Sequence, residues 1–262
     1  RSVELKPLMT LQNNRLWPRM ELFRLPLRGT ELHVPIGSFR DFYAFEQHVV
    51  TCRRNRGLDI IPEWYQIPVF YFSNPDSLIA DQERVPVPID CQELDYELEI
   101  GVVIGKPGKN IPVADAWNHV LGFTIINDFS ARDLQRQEMK VGLGPAKGKD
   151  FATAVGPELV SLAELQPYID PQGRLKLEMS ARVNGRELSR GNASSMHYSW
   201  PELIHRASMN VTLQCGDLLG SGTVGSGCIL ELGAENTGGW LKPGDLVELE
   251  VEQLGILSNH IQ

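Results

Sequence analysis

Cysteine is scarce in this chain of 262 residues: Cys52, Cys91, Cys215 and Cys228 are widely spaced and form no C-x-x-C pair, which suits free thiols in a reducing cytoplasm. No run of about 18 apolar residues is present and no signal-peptide pattern can be read, so neither a membrane span nor export is expected. Positive charge is short as well. Twenty-five basic against 33 acidic residues leave a net charge of -8 with no basic block, which argues against a nucleic acid or an anionic membrane as partner. Repeats and low-complexity linkers are absent. What is there is 42% hydrophobic residues, ample for the packed core of one sizeable domain.

Residues 1–35 mix charge, Leu and Pro without a sustained period and read as an extension or short strands leading into a main body over 36–262. From Ser38 the apolar positions Phe42, Phe45, Val49 and Cys52 recur at steps of three and four, Ser38 is a good N-cap, and Gly57 follows the basic Arg53, Arg54 and Arg56. The spacing predicts a helix with Asp41 and His48 on one face, about 10.5 Å apart. The run Val69-Phe70-Tyr71-Phe72 and the proline-rich turns after it predict short strands and loops. Residues 113–120 read as helical and 122–126 as a buried strand that delivers Asn127 and Asp128. A helix is expected over 130–139, with Arg132 and Gln135 on one face. Beyond Glu158, strand patterns dominate at 175–183, 211–213, 229–232 and 246–254. The expected class is α+β, rich in β, with a few helices.

Two glycine-rich stretches resemble nucleotide motifs. In Gly142-Leu143-Gly144-Pro145-Ala146-Lys147-Gly148-Lys149 the glycine spacing is wrong for a P-loop, and Asp150 replaces Ser or Thr. Gly220-Ser221-Gly222-Thr223-Val224-Gly225 matches the dinucleotide fingerprint, but the pattern after it reads as a strand, leaving no helix N-terminus for a pyrophosphate.

The informative stretch is 94–104, where Asp95, Glu97 and Glu99 alternate with Tyr96, Leu98 and Ile100 before a purely apolar tail. In a strand the three acids share one face, with Glu97 and Glu99 about 6.6 Å apart. An isolated E-x-E is usually a wet strand face. Joined by Asp41 and Asp128 it becomes an all-oxygen cage, and hard oxygen donors favour Mg2+, Mn2+ or Ca2+ over zinc.

Five blocks in order then carry a resemblance: Phe39-Arg40-Asp41-Phe42-Tyr43 with His48; Leu94-Asp95-Tyr96-Glu97-Leu98-Glu99; Asn127 through Gln135; Leu143-Gly144-Pro145 with Gly148-Lys149-Asp150-Phe151; and Gly222-Thr223 with Leu230-Glu231-Leu232. The sequence resembles the fumarylacetoacetate hydrolase family from about Phe39 to its end. The resemblance implies a mixed β-sandwich roll with a few flanking helices, cytoplasmic and homodimeric, with a part in aromatic amino acid catabolism. It implies that Asp41, Glu97, Glu99 and Asp128 bind a divalent cation, Mg2+ or else Ca2+ or Mn2+, with Lys149 and Thr153 around them. His48 would be the general base, Glu231 its partner in orienting water, and Arg132, Gln135 and Lys149 the donors to substrate oxygens. Tyr43 and Thr223 would touch substrate.

The implied reaction is hydrolysis of a carbon-carbon bond in a β-diketo acid of the fumarylacetoacetate or acylpyruvate type. Other branches act on 2-oxo acids through an enolate, as decarboxylases, isomerases or dehydratases, and generally do so without this His and Glu combination. A metal-binding scaffold without activity would not need His48, Arg132 and Lys149 to converge. An unassisted histidine titrates near neutrality, as a general base should. Two departures bear on the substrate. Met139 stands where the animal hydrolase has a substrate-binding Tyr, and Arg53, Arg54 and Arg56 are equal candidates for anchoring a substrate carboxylate.

Overall fold

A computed structural model describes residues 22–262; the expectation for 1–21 lies outside the described residues. Two sheets organise the chain. The larger has seven strands in the order Phe70–Ser73, Ser38–Phe42, Asp217–Gly220, Leu98–Ile104, Val120–Asn127, Thr153–Ser161 and Leu78–Ile79. Its pairing is mixed, parallel between Ser38–Phe42 and Asp217–Gly220 and between Thr153–Ser161 and Leu78–Ile79, antiparallel elsewhere. The smaller runs Arg186–Asn192, Glu178–Val183, Leu246–Val251, Gly255–Ile261 and Arg84–Val85.

All seven residues of Leu98–Ile104 are buried, because both faces of the large sheet are covered. Side-chain alternation divides them. Leu98, Ile100, Val102 and Ile104 enter the main core, which also holds Met179, Ala181, Leu249 and Leu257 of the small sheet. Val103 lies on the opposite face with Phe39, Ile126, Val155 and Leu218, beneath a hairpin of Arg24–Pro26 and His33–Pro35 that contributes a fully buried Leu25. The helix Trp200–Ser208, opened by a capping box of Ser199 and Glu202, sets Trp200 edge-on against Phe123 at 5.1 Å. The β-rich α+β expectation is met. Among the described residues no helix is long and apolar enough to cross a membrane.

Three local expectations need correction. Ser38 caps no helix: Ser38–Phe42 is a strand between two partners, and the helix begins only at Glu46 and runs to Arg54. Long-range pairing overrides the local three-and-four spacing, so Asp41 and His48 come from a strand and a helix, not from one helical face. The predicted strand at 229–232 is a single helical turn, Ile229–Leu232, whose first amides donate to the Asp95 carboxylate at 2.7 and 3.0 Å. The N-terminal donors that a nucleotide site would need are therefore already occupied. Finally, 94–104 is broken at Tyr96 and Glu97, with Leu94–Asp95 pairing to Ser130–Ala131 and the remainder to Val120–Asn127.

Candidate metal centre and its buried dyad

At one end of the large sheet, neighbouring strands deliver a row of polar side chains. Asp41 stands in register with Tyr71 on one side and Gly220 on the other; Glu99 lies one strand beyond Gly220, Asp128 directly follows the next strand, and Thr153 opens the one after. The strands of Asp41 and Glu99 are two spacings apart, about 9.6 Å. Yet ligand atoms of Asp41, Glu97 and Glu99 lie within 4.8 Å of one another. Gly220 makes this possible: a Cβ there would run into Oδ1 of Asp41. The carboxylates close over a strand that has no side chain at that point.

Five carboxylates, Asp41, Asp95, Glu97, Glu99 and Asp128, are buried here with two cationic side chains, Arg132 and Lys149. Five negative charges against two positive leave an excess of three, which a divalent ion would cut to one. Oδ1 of Asp41 and Oε2 of Glu99 are buried without a hydrogen-bond partner. Burial, then the charge of Asp128, pushes the Asp41 carboxyl well above its usual range; burial, then Asp41 and Glu97, does the same to Glu99. Two orphaned oxygens on carboxylates that resist ionising, in an all-oxygen donor set, fit a hard divalent cation.

The remaining members are held in place. Lys149 Nζ donates to Glu97 Oε2 and, at 2.7 Å, to Asp128 Oδ2. Its bonds thus clamp two carboxylates together. Asp128 also accepts from Tyr71 at 2.5 Å and from Thr153 at 2.8 Å, so both its oxygens are engaged and it stands outside the 4.8 Å group. Burial alone would raise the Glu97 carboxyl, but Lys149 and Arg132 bring it down to about 2. Thr223 donates to Glu99 at 3.3 Å.

Arg132 joins this cluster to the rest of the site. Its Nε donates to Asp95 Oδ2 at 2.9 Å and its Nη1 to Gln135 Oε1 at 3.1 Å. Nη2 lies 2.8 Å from Glu97 and 2.9 Å from Asp95, but neither contact has hydrogen-bond geometry, so these are ion pairs that leave its N–H directions free. Asp95 in turn holds the turn carrying Glu231. Glu231 Oε2 accepts from the amide of Ser226 at 3.0 Å, while its Oε1 meets His48 Nδ1 at 2.5 Å. Burial disfavours the imidazolium of His48, but hydrogen bonds with Cys228 and Glu231 and the Glu231 charge outweigh it and raise its pKa well above the ordinary histidine value. The expectation of an unassisted, near-neutral histidine is overturned. Tyr43 packs edge-on against the His48 ring at 5.3 Å.

The structure thus brings Asp41, Glu97 and Glu99 to one point, sets Asp128, Lys149, Thr153 and Thr223 around them, and places Arg132, Gln135, Glu231, His48 and Tyr43 along the flank. Met139 is exposed on the helix Arg132–Val141. Of the three arginine candidates, Arg53 borders an apolar cavity of about 210 Å3 that Tyr43, Val49 and Trp64 also line; a second cavity of about 220 Å3, between Arg186 and Trp240, touches none of the five clustered carboxylates. Two residues escaped the sequence reading. Tyr71 hid in an aromatic run, where only its hydroxyl among phenylalanines could have marked it. Asp95 was placed on the acidic face, but its link between Arg132 and the Glu231 turn spans 134 residues of sequence.

Residues 38–262 match the family model described as fumarylacetoacetate (FAA) hydrolase, C-terminal. The chain is similar to the oxaloacetate tautomerase YisK of Bacillus subtilis, 41% identical over 172 residues that cover 64% of this chain and 52% of that protein; it spans about half the length of that relative. It is also similar to the fumarylacetoacetase of Bos taurus, 30% identical over 255 residues, covering 79% of this chain and 61% of the other. Among solved structures, the fumarylpyruvate hydrolase from Pseudomonas aeruginosa in complex with Mn2+ and pyruvate superimposes with a TM-score of 0.74, covering 92% of this chain and 95% of that one at 24% identity, which is a likeness of fold.

Proposed function

Because the chain belongs to the fumarylacetoacetate hydrolase family, we propose that it is a metal-dependent hydrolase that splits a carbon-carbon bond in a β-diketo acid of the acylpyruvate or fumarylacetoacetate type. The observation that carries this reading is the buried His48–Glu231 pair beside a carboxylate cluster with two orphaned oxygens. Hydrolysis needs a base for water, whereas tautomerisation needs one only for a proton on carbon.

A divalent cation, Mg2+ or else Mn2+ or Ca2+, held by Asp41, Glu97, Glu99 and Asp128, would supply Lewis-acid polarisation of the two oxygens that such an acid presents. The protein's own groups do the rest. His48, steadied by Glu231, takes a proton from water, whose oxygen bonds to the distal carbonyl carbon. The electrons of the breaking carbon-carbon bond stay with the departing carbon, and the proton on His48 is returned there. Arg132, through its free N–H directions, and the amide of Gln135 stabilise the anions that form in succession; one such donor contributes roughly 3 kcal/mol in comparable sites. Lys149 keeps Glu97 and Asp128 in position, Thr223 steadies Glu99, and Tyr43 bounds the substrate space beside His48.

The test is His48→Ala in the presence of Mg2+, followed by loss of the ultraviolet diketone band of an acylpyruvate. Turnover is expected to vanish while metal binding persists; a variant as fast as the parent removes the base assignment. A second reading, tautomerisation of a 2-oxo acid, is favoured by the 41% identity to the oxaloacetate tautomerase. It needs only proton removal and return at carbon, so release of a shorter 2-oxo acid separates the two.

A further inference from the structure

The cysteines, dispersed in sequence, are not dispersed in space. Cys52, on the helix Glu46–Arg54, and Cys228, just before Ile229–Leu232, both lie beside His48, and the ligand atoms of these three residues fall within 4.8 Å of one another. All three are buried, at 4%, 0% and 4% exposure for Cys52, Cys228 and His48. Cys52 Sγ is 3.7 Å from Nε2 and 3.8 Å from Nδ1 of His48, and Cys228 Sγ is 3.7 Å from Glu231 Oε1. In tetrahedral zinc sites, bonds of about 2.3 Å to sulfur and about 2.0 Å to nitrogen put neighbouring donors about 3.5 to 3.8 Å apart. The Cys52–His48 distance falls in that range, whereas His48 Nδ1 and Glu231 Oε1, at 2.5 Å, are a hydrogen-bonded pair too close to be two donors of one ion.

His48 and Cys52 are four residues apart and share a helix face, while Cys228 and Glu231 are three apart across the following turn. The helix therefore presents two donors, and the residue before the turn a third, to one point. The set is two sulfurs and one imidazole nitrogen, unlike the all-oxygen cluster beside it. Thiolates select a borderline-soft ion such as Zn2+ and have little affinity for Mg2+.

We propose that His48, Cys52 and Cys228 form a second metal site, which captures Zn2+. On binding, each thiol releases its proton and donates a thiolate pair to the ion, with no change of oxidation state. The site stands on geometry alone, whereas its consequence rests on the proposed role of His48: zinc takes the imidazole out of use and stops turnover while the oxygen cluster is left as it was.

The test uses the whole protein with Mg2+ in excess, reduced and without oxygen, on a Cys215→Ser background that removes the one exposed thiol. Titrated Co2+ is expected to give a near-ultraviolet thiolate-to-cobalt charge-transfer band that saturates at one equivalent and is displaced by Zn2+. Adding C52S and C228S together abolishes the band and weakens zinc inhibition at least tenfold relative to that variant's own rate. Should the double change not fold, C52S alone is expected to lower the band to about half. No thiolate band in the Cys215→Ser protein, or a band that survives loss of both cysteines, overturns the site. A band that forms normally while zinc leaves turnover intact supports the site and overturns the reading of His48 as base.

Discussion

Nδ1 of His48 and Oε1 of Glu231 lie 2.5 Å apart with both side chains buried, although 183 residues separate them in sequence. The carboxylate fixes the ring and favours its protonated form. As a base, His48 must be neutral, and with its pKa raised it is neutral only above that raised value. The rate kcat/KM is therefore expected to climb with pH through a midpoint above that of an ordinary histidine. Glu231→Gln removes the stabilising charge and should move the midpoint down while lowering kcat. Identical midpoints in parent and variant would show that the pair does not set the base.

Burial and neighbouring carboxylates raise the pKa values of the Asp41 and Glu99 carboxyls in the fold. Groups raised in this way bind protons that the unfolded chain has already lost, so their contribution to stability falls as pH rises from the ordinary carboxylate range towards the raised values. A cation takes the place of those protons and cancels the loss. The increase in Tm on adding Mg2+ is expected to be larger at pH 8 than at pH 6, and chelator should return the protein to the lower, pH-sensitive curve. An increase that shrinks with pH contradicts the assignment.

Gly220 is predicted to matter to the metal rather than to the strand. Gly220→Ala would press a methyl group onto Asp41 Oδ1, one of the two orphaned oxygens. Calorimetric titration is expected to show Mg2+ binding roughly 10- to 100-fold weaker, the scale seen when metal ligands lose their support, with the circular dichroism spectrum unchanged. Unaltered affinity would place the cation elsewhere.

Asp95 touches no reacting atom in the proposed scheme, yet it anchors both Arg132 and the turn that carries Glu231. Asp95→Ala leaves a buried guanidinium short of a partner and should destabilise the fold by about 3 kcal/mol, read from denaturant midpoints. It should also lower kcat more than it raises KM. Asp95→Glu is expected to restore little, since two amides and a guanidinium fix where the carboxylate must sit.

Part of the oxygen cluster was legible because alternation is local: although the strand is interrupted at Tyr96 and Glu97, Tyr96 and Leu98 both enter the main core and Glu97 and Glu99 still converge. Asp41 was legible as a member of the acidic cluster but not in its setting, since three-and-four spacing cannot register a strand that pairs with residues 217–220. The Glu231 turn was misread because Leu-Glu-Leu looks like a strand, and the Asp95 carboxylate that binds its first amides is far away in sequence. The cysteine pair gave no signal at all, because 176 residues separate Cys52 from Cys228 and no spacing motif links them.

The most direct test of the proposed hydrolysis is product analysis after incubating the protein and Mg2+ with an acylpyruvate in water enriched in the heavy oxygen isotope. The expected result is pyruvate and the acyl-derived carboxylic acid in equal amounts, the acid carrying one solvent oxygen in its carboxylate. Keto and enol forms that interconvert rapidly, with no pyruvate released, would contradict hydrolysis and leave proton transfer at carbon as the activity of the site.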